Sequence, residues 1–189
     1  MCREFTCAGG MFMLLETDRL ILRELTYDDF SDLYNVLADS DIMQHYPYSF
    51  DENRVRKWIE KNIQRYRRDG FGLWAVVLKE NGCMIGDCGI TMQNINGEVL
   101  PEVGYHILAG CQKKGYATEA AAECIRYAFE ELRFDKVYSY MKYTNEASAR
   151  VAVKNGMKLM GEYADTENTV TKVYAVTRDE WFQANGKQF

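Results

Sequence analysis

The segment from Gln112 to Ala120 has residue types and spacing suited to holding a phosphate group. An apolar, strand-like run at 103–108 precedes it, and a helix-like run at 117–132 follows it. Gly115 lets the backbone turn and approach a ligand without a side chain in the way. Free N–H groups at the start of a helix form a site for an anion. The segment therefore predicts a turn that holds a pyrophosphate.

The side chains of this turn favour the same interpretation, although a plain glycine-containing loop is the alternative. Ala117 is small, Thr118 is a candidate helix cap, and Glu119 suits a helix N-terminus. Lys113 and Lys114 either add positive charge beside the phosphates or are ordinary solvated lysines. The turn follows neither the G-x-x-x-x-G-K-[ST] nor the G-x-G-x-x-G pattern, which disfavours a P-loop NTPase and a Rossmann dehydrogenase.

The rest of the chain supplies the elements that must position this turn. Asn81-Gly82 and Asn96-Gly97 are hairpin signals, and Asn155-Gly156 is a helix stop signal. Alternating and helical apolar spacing between these signals indicates a mixed α/β protein with a central, largely antiparallel sheet and helices on both faces. The predicted strands are 19–24, 71–79, 84–92, 98–108, 136–142, 159–164 and 170–177, and the predicted helices are 26–38, 51–68, 117–132 and 145–154.

Composition narrows the classes of function. The chain has 189 residues, 47% hydrophobic and 27% charged, which suits one domain with one sizeable core. The net charge of −5, without a basic stripe, disfavours nucleic acid as the principal partner. We expect no membrane partner, because no segment has the length and apolarity of a transmembrane helix. The sequence argues for no oligomeric state, and a homodimer is compatible with it.

The six cysteines predict no metal site. They form no C-x-x-C pair, and the two histidines, His45 and His106, lie far apart in the sequence. Scattered cysteines without a secretory signal predict reduced thiols and a cytoplasmic location, while a disulfide between two of them stays open. The first twelve residues are unusual, with two cysteines and a Gly-Gly pair. We expect 1–12 to be a disordered or dispensable extension and 13–189 to be a single domain.

Four segments together resemble the GNAT family of N-acetyltransferases. The pattern Q-x-x-G-x-A at 112–117 resembles the family's acetyl-CoA-binding turn. The runs 16–23, 145–157 and 174–181 resemble the opening, the fourth-helix motif and the closing strand of its RimJ/RimL-like branch, the ribosomal-protein N-acetyltransferase type. The resemblance implies the GNAT fold, a central mixed, largely antiparallel sheet of about seven strands flanked by about four helices.

The resemblance also implies acetyl-CoA as the co-substrate. The backbone of the turn would meet the pyrophosphate, and the end of the preceding strand would pair with the pantetheine arm by strand addition. Asn145 is in addition an expected helix cap, and Arg150 either reaches the phosphate end or is an exposed helix arginine. The expected cofactor-binding residues are Ile107, Leu108, Gln112, Lys113, Lys114, Gly115, Tyr116, Ala117, Thr118, Asn145 and Arg150.

Acetyl transfer needs a base for the attacking amine. Glu102 lies on the strand that leads to the turn, and burial there would raise its pKa into a useful range. His106 shares the Glu102 side of that strand by the period of two and is a second candidate. A solvent-facing strand glutamate and a structural histidine are the alternatives.

The leaving thiolate needs a proton or a stabilising hydroxyl. In many GNAT enzymes a tyrosine of the fourth helix, four residues before the glycine equivalent to Gly156, supplies it, but here that position is Ala152. The resemblance to the RimL-like branch implies Ser148 as the substitute. The alternative is that Ser148 is a small residue that only packs the helix. Tyr143 is a weaker candidate.

An aromatic cluster between the first two helices is the predicted acceptor pocket, with Trp74 as a further member. The same rings would serve equally to pack the helices on the sheet. The predicted function is an acetyl-CoA-dependent N-acetyltransferase that acts on a protein N-terminus or a small amine by direct attack. The departure at Ala152 leaves a non-catalytic acetyl-CoA-binding module as the alternative. The cluster comprises Gln44, His45, Tyr46, Pro47, Tyr48 and Phe50.

Overall fold

The computed structural model describes residues 14–186. The expectation that 1–12 is an extension falls outside the described residues. All strands of the described chain belong to one sheet. The strands are β1 (Leu14–Glu16), β2 (Leu20–Arg23), β3 (Leu73–Leu78), β4 (Met84–Ile95), β5 (Glu98–Ile107), β6 (Lys136–Lys142), β7 (Lys158–Asp165) and β8 (Thr169–Thr177), and the helices are α1 (Phe30–Leu37), α2 (Glu52–Asp69), α3 (Tyr116–Glu130), α4 (Glu146–Lys154) and α5 (Arg178–Ala184).

The sheet is mixed, as predicted. Its strand order is β1-β2-β3-β4-β5-β6-β8-β7, and every neighbouring pair is antiparallel except β5 and β6. The eight strands and five helices exceed the expected seven and four by one each, because the short β1 and the C-terminal α5 were not predicted. None of the helices within residues 14–186 has the length and apolarity needed to cross a membrane.

The turn at Asn96-Gly97 and the helix stop at Asn155-Gly156 form as predicted, and α2 has a cap at each end. Asp51 caps α2 by accepting the N–H of Arg54 at 2.8 Å, and Gly70 ends that helix with a φ of 79°. Asn96 and Gly97 both have positive φ, 51° and 90°, as a two-residue hairpin turn requires. That turn fixes the register of β4 against β5, and therefore decides which polar side chains face each other across these strands.

Two apolar cores lie on opposite faces of the sheet. Helices α1 and α2 cover one face through residues such as Leu33 and Ile59, and α3, α4 and α5 cover the other through residues such as Ile125 and Phe182. Trp74 belongs to the second core, where it meets Tyr127 edge to face. The prediction that Trp74 joins the acceptor-side aromatic cluster is therefore wrong, because its position on β3 points it to the opposite face.

Candidate active site

Strands β5 and β6 separate almost as soon as they meet. Within the described residues, their parallel pairing consists of Glu102 opposite Tyr138. β5 then continues to Ile107 and β6 to Lys142 as separate strands. The predicted cofactor residues Ile107 and Leu108 lie where β5 ends, beside this gap. A splayed strand pair leaves backbone groups free to bind an extended ligand by strand addition.

The predicted phosphate turn joins the end of β5 to α3. The Gln112 side-chain amide donates to the carbonyl oxygen of Ile107 at 3.0 Å, which ties the turn to the strand. Lys113 and Gly115 have φ values of 61° and 88°, so the backbone turns sharply there. Lys113 and Lys114 are both exposed, which fits either role considered for them.

Gly115 is the N-cap residue of α3, and no side chain caps this helix. The prediction that Thr118 is the cap is therefore wrong, since Thr118 is the third residue of the helix. Tyr116, Ala117 and Thr118 form the first turn, where backbone N–H groups have no acceptor within the helix. An uncapped helix start of this kind attracts an anion, and pyrophosphate binding at this turn stays a prediction.

Arg19, which the sequence analysis did not assign to the site, holds the turn in place. Its guanidinium donates to the carbonyl oxygen of Lys114 at 3.1 Å and to Glu119 at 2.6 Å. It also lies 4.5 Å from the ring centroid of Tyr116. Burial opposes ionisation of Glu119, but hydrogen bonds from Thr17 and Arg19 lower its pKa overall. The start of β2 thus fixes both sides of the turn.

Glu102 is buried beside the strand separation, with 9% of its surface exposed. The Thr91 hydroxyl, directly opposite on β4, donates to its Oε2 at 3.1 Å. The carboxyl lies over Gly104, where a Cβ atom would stand 3.1 Å from Oε1. Burial raises the pKa of Glu102 to about 7, although Thr91, His106 and Arg65 each oppose the rise. A carboxyl group in this range can accept a proton near neutral pH.

Beside Glu102 lies a chain of hydrogen bonds centred on His106. Its Nδ1 is 2.7 Å from Asp87, which has no exposed surface, and its Nε2 is 2.9 Å from the Tyr46 hydroxyl. The Trp58 indole N–H donates to the second oxygen of Asp87 at 2.8 Å. His106 is therefore held at both ring nitrogens, and it faces the same side of the sheet as Glu102, as the strand period predicted.

The aromatic cluster predicted between the first two helices covers this site. Tyr46 lies 5.7 Å from both His106 and Phe50, measured between ring centroids. Tyr48 contacts Tyr46 and Phe50, and it is the more exposed member at 41%. His45 extends toward Thr144 at 3.4 Å, beyond the end of β6. The cluster thus forms a wall between α2 and the separated strands.

Ser148 of α4 meets the opposite face of β5. The Tyr105 hydroxyl lies 2.9 Å from both the Ser148 hydroxyl and its carbonyl oxygen. Asn145 caps α4 by accepting the Ser148 N–H at 3.1 Å, as predicted. Burial raises the pKa of Tyr105, so its hydroxyl stays protonated. Tyr105 was not a sequence candidate, because only the strand-to-helix contact reveals it.

The remaining candidates lie farther toward solvent. Tyr143, just beyond β6, is 46% exposed, and Arg150 pairs with Glu146 at 3.3 Å on the surface of α4.

Ala152, at the position where many GNAT enzymes have tyrosine, is buried in the core. Within residues 14–186 no three His, Cys, Asp or Glu side chains are grouped so as to hold a metal ion.

The family model for the GNAT acetyltransferase domain matches residues 19–158. The chain belongs to the GNAT acetyltransferase family. The uncharacterized protein YkkB of Bacillus subtilis is 36% identical over 144 residues, which span 76% of this chain and 84% of YkkB. The family match over residues 19–158 includes the strand separation and the phosphate turn, and the family assignment identifies this protein as an acetyltransferase.

Solved structures have the same fold. The crystal structure of an acetyltransferase from Agrobacterium tumefaciens is 27% identical, with a TM-score of 0.75 over 92% of this chain and 98% of the other. RimL, a ribosomal L7/L12 α-N-protein acetyltransferase solved in complex with coenzyme A, is 18% identical, with a TM-score of 0.74 over 89% and 99%. The likeness to RimL is one of fold.

Proposed function

We propose that this protein transfers the acetyl group of acetyl-CoA to a primary amine by direct attack of the amine on the thioester. One observation carries the proposal. The buried carboxyl group of Glu102, with a pKa of about 7, lies where β5 and β6 separate. Family membership supports the acetyl chemistry, and the coenzyme A bound to RimL supports the choice of cofactor.

The separated strands and the phosphate turn fit acetyl-CoA in both shape and charge. The first-turn N–H groups of α3 would bind the pyrophosphate, with Lys113 or Lys114 adding charge. The backbone of Ile107 would pair with the pantetheine arm. The backbone groups of Leu108 already have partners, since its N–H donates to Ile85 and its carbonyl oxygen accepts the Cys111 N–H, both at 2.8 Å. Asn145 and Arg150, at the start and the surface of α4, complete the proposed cofactor contacts. In this proposed arrangement the thioester would lie near Glu102.

In the proposed reaction, Glu102 removes a proton from the ammonium form of the acceptor. The neutral amine nitrogen then bonds to the carbonyl carbon, and the tetrahedral intermediate loses the second nitrogen proton to solvent. Its collapse breaks the carbon–sulfur bond and leaves a neutral amide. The released thiolate takes a proton from the hydroxyl pair of Ser148 and Tyr105, which recovers it from solvent. Tyr143 is a third candidate for this last role.

The acid and the base of this scheme reach the thioester from opposite faces of β5. Glu102 faces α1 and α2, whereas Tyr105 faces α4, since their positions differ by an odd number of residues. The acceptor therefore enters on the aromatic side and the thiol leaves on the other. The acceptor is a protein N-terminus or a small amine.

Calorimetric titration with acetyl-CoA, with ATP and NAD as controls, tests the cofactor assignment. We expect micromolar binding of acetyl-CoA alone, followed by release of coenzyme A when amines are added. Glu102→Gln keeps the shape of the side chain and the contact with Thr91. The variant should therefore still bind acetyl-CoA but no longer release coenzyme A when amines are added. If folded protein fails to bind acetyl-CoA, the proposed function is wrong. If it binds acetyl-CoA but no amine accelerates release, the non-catalytic alternative is favoured.

A further inference from the structure

A buried arginine on α2 lies on the acceptor side of the sheet without an anionic partner. Arg65 is 7% exposed, and its Nη1 donates to the Asn62 side-chain oxygen at 3.0 Å. Among residues 14–186 no carboxylate oxygen lies within 4.0 Å of its guanidinium. A buried charge without a counter-charge is costly, because its lost hydration is not compensated.

Arg65 is directed toward the proposed site of chemistry. It lies two helical turns from Trp58, so both side chains leave the same face of α2, and Trp58 reaches Asp87 in the site. Burial raises the pKa of Glu102 and the charge of Arg65 opposes that rise. Burial lowers the pKa of Arg65 and the charge of Glu102 opposes that fall. The guanidinium therefore lies in the neighbourhood of the proposed base.

The sheet beneath these residues has little side-chain volume. Gly89 and Gly104 are paired across β4 and β5. They lie between the Asp87–His106 pair and the Thr91–Glu102 pair. Neither glycine projects a side chain into the space above the strands. A Cβ atom at Gly104 would stand 3.1 Å from Glu102 Oε1, and one at Gly89 would stand 2.0 Å from the carbonyl oxygen of Gly72. The two glycines therefore let the proposed base and the backbone before β3 approach these strands closely on the side of α2.

Positive charge continues along α2 from Arg65. Helix α2 carries seven Lys or Arg against three Asp or Glu, in a chain with a net charge of −5. Arg54 lies over the Tyr48 ring at 4.4 Å, at the more exposed end of the aromatic wall. Burial and the charges of Arg65 and Arg68 lower the pKa of Lys61, which shows that these cations repel one another. The helix thus presents an attractive surface for anions.

We infer that the acceptor carries a carboxylate or phosphate group that Arg65 binds while its amine faces Glu102. The planar guanidinium suits either anion. Because Arg65 is buried, the anionic group must enter the pocket together with the amine. The substrate class is therefore a compact zwitterion, an amino acid or an amino phosphate. This inference rests on the proposed function.

The test measures coenzyme A release by the full-length protein with matched acceptors. Each of the twenty amino acids is compared with its α-carboxamide, and phosphoethanolamine is compared with ethanolamine. For the best pair, kcat/KM should be at least about tenfold higher for the anionic member, as expected for a charge-assisted contact. Arg65→Gln should abolish that preference, so that kcat/KM becomes similar for the anionic and the neutral member, while the acetyl-CoA affinity stays unchanged.

Two further variants separate binding from folding. Arg68→Gln, an exposed change on the same helix, should keep the preference, and Arg65→Lys should keep part of it. Equal rates for charged and neutral acceptors, or a preference that survives Arg65→Gln, would overturn the inference. Acetylation of peptides with acidic second residues, without any small zwitterion, would also overturn it. If the wild-type protein showed neither turnover with any acceptor nor binding of acetyl-CoA, the proposed function would be overturned as well.

Discussion

Glu102 and Tyr138 are paired across β5 and β6, and within residues 14–186 they form the whole parallel pairing of these strands. The two halves of the sheet therefore part directly beyond Glu102. This places a buried carboxyl group at the edge of the gap where acetyl-CoA is proposed to bind. The proposed base is thus positioned by the strand topology.

The first prediction concerns the pH dependence of catalysis. A general base must be deprotonated to accept a proton, so kcat/KM should rise with pH through about 7, the pKa of Glu102, and then level off. Glu102→Gln should lower kcat by about 100-fold and remove this rise. Glu98→Gln, an exposed change four residues earlier on β5, is the matched control. A rise that persists in Glu102→Gln would assign the base elsewhere.

The same raised pKa predicts a pH-dependent stability. Between about pH 4.5 and pH 7 the folded protein holds a proton on Glu102 that the unfolded chain has lost, so stability should fall as pH rises. Glu102→Gln removes this penalty. Its free energy of unfolding should exceed that of the wild type by up to about 3 kcal/mol above pH 7, with little difference at pH 4. Denaturant unfolding at both pH values measures it. An equal effect at the two pH values would contradict the burial argument.

Arg19 provides a prediction about the cofactor turn. Arg19→Met removes the hydrogen bonds to Lys114 and Glu119 while keeping an apolar stem. Loss of this support should weaken acetyl-CoA binding by about tenfold, equivalent to about 1.4 kcal/mol. Calorimetry measures the affinity, and kcat at saturating acetyl-CoA should change little. Arg56→Gln, an exposed change on α2, is the control, and unchanged affinity in Arg19→Met would show that the turn is rigid without Arg19.

The hydroxyl pair on the other face of β5 gives a fourth prediction. Tyr105→Phe and Ser148→Ala each remove one hydroxyl of the 2.9 Å contact and should each lower kcat by about tenfold or more. Their effects should be less than additive, because the two groups act as one unit. A double-mutant cycle with Tyr143→Phe as the comparison identifies the proton donor. Full activity in the double variant would shift that role to Tyr143 or to water.

Much of the fold was predictable from local signals. The strands and the longer helices have clear periodicity, and glycine or asparagine marks their ends, as at Gly70 and Gly156. The short β1 and α5 were missed, because a three-residue strand carries almost no pattern. Thr118 was misassigned as a cap because glycine, a weaker cap residue, occupies that position three residues earlier.

The candidate site was only partly predictable. The two-residue turn at Asn96-Gly97 sets an uninterrupted register that places Asp87 opposite His106 and Thr91 opposite Glu102. Counting back from that turn would have assigned Asp87, which no motif indicated. Arg19 and Arg65 could not have been found this way, since their contacts join segments far apart in the sequence or depend on helix rotation.

The most direct test of the central claim follows acetyl transfer itself. Wild-type protein and Glu102→Gln are each incubated with isotopically labelled acetyl-CoA and a pool of amino acids, amines and peptides, and labelled N-acetyl products are measured by mass spectrometry. We predict labelled amides with the wild type and an approximately 100-fold loss with Glu102→Gln at equal acetyl-CoA affinity. Equal product formation by both proteins would contradict the account of Glu102 as the catalytic base.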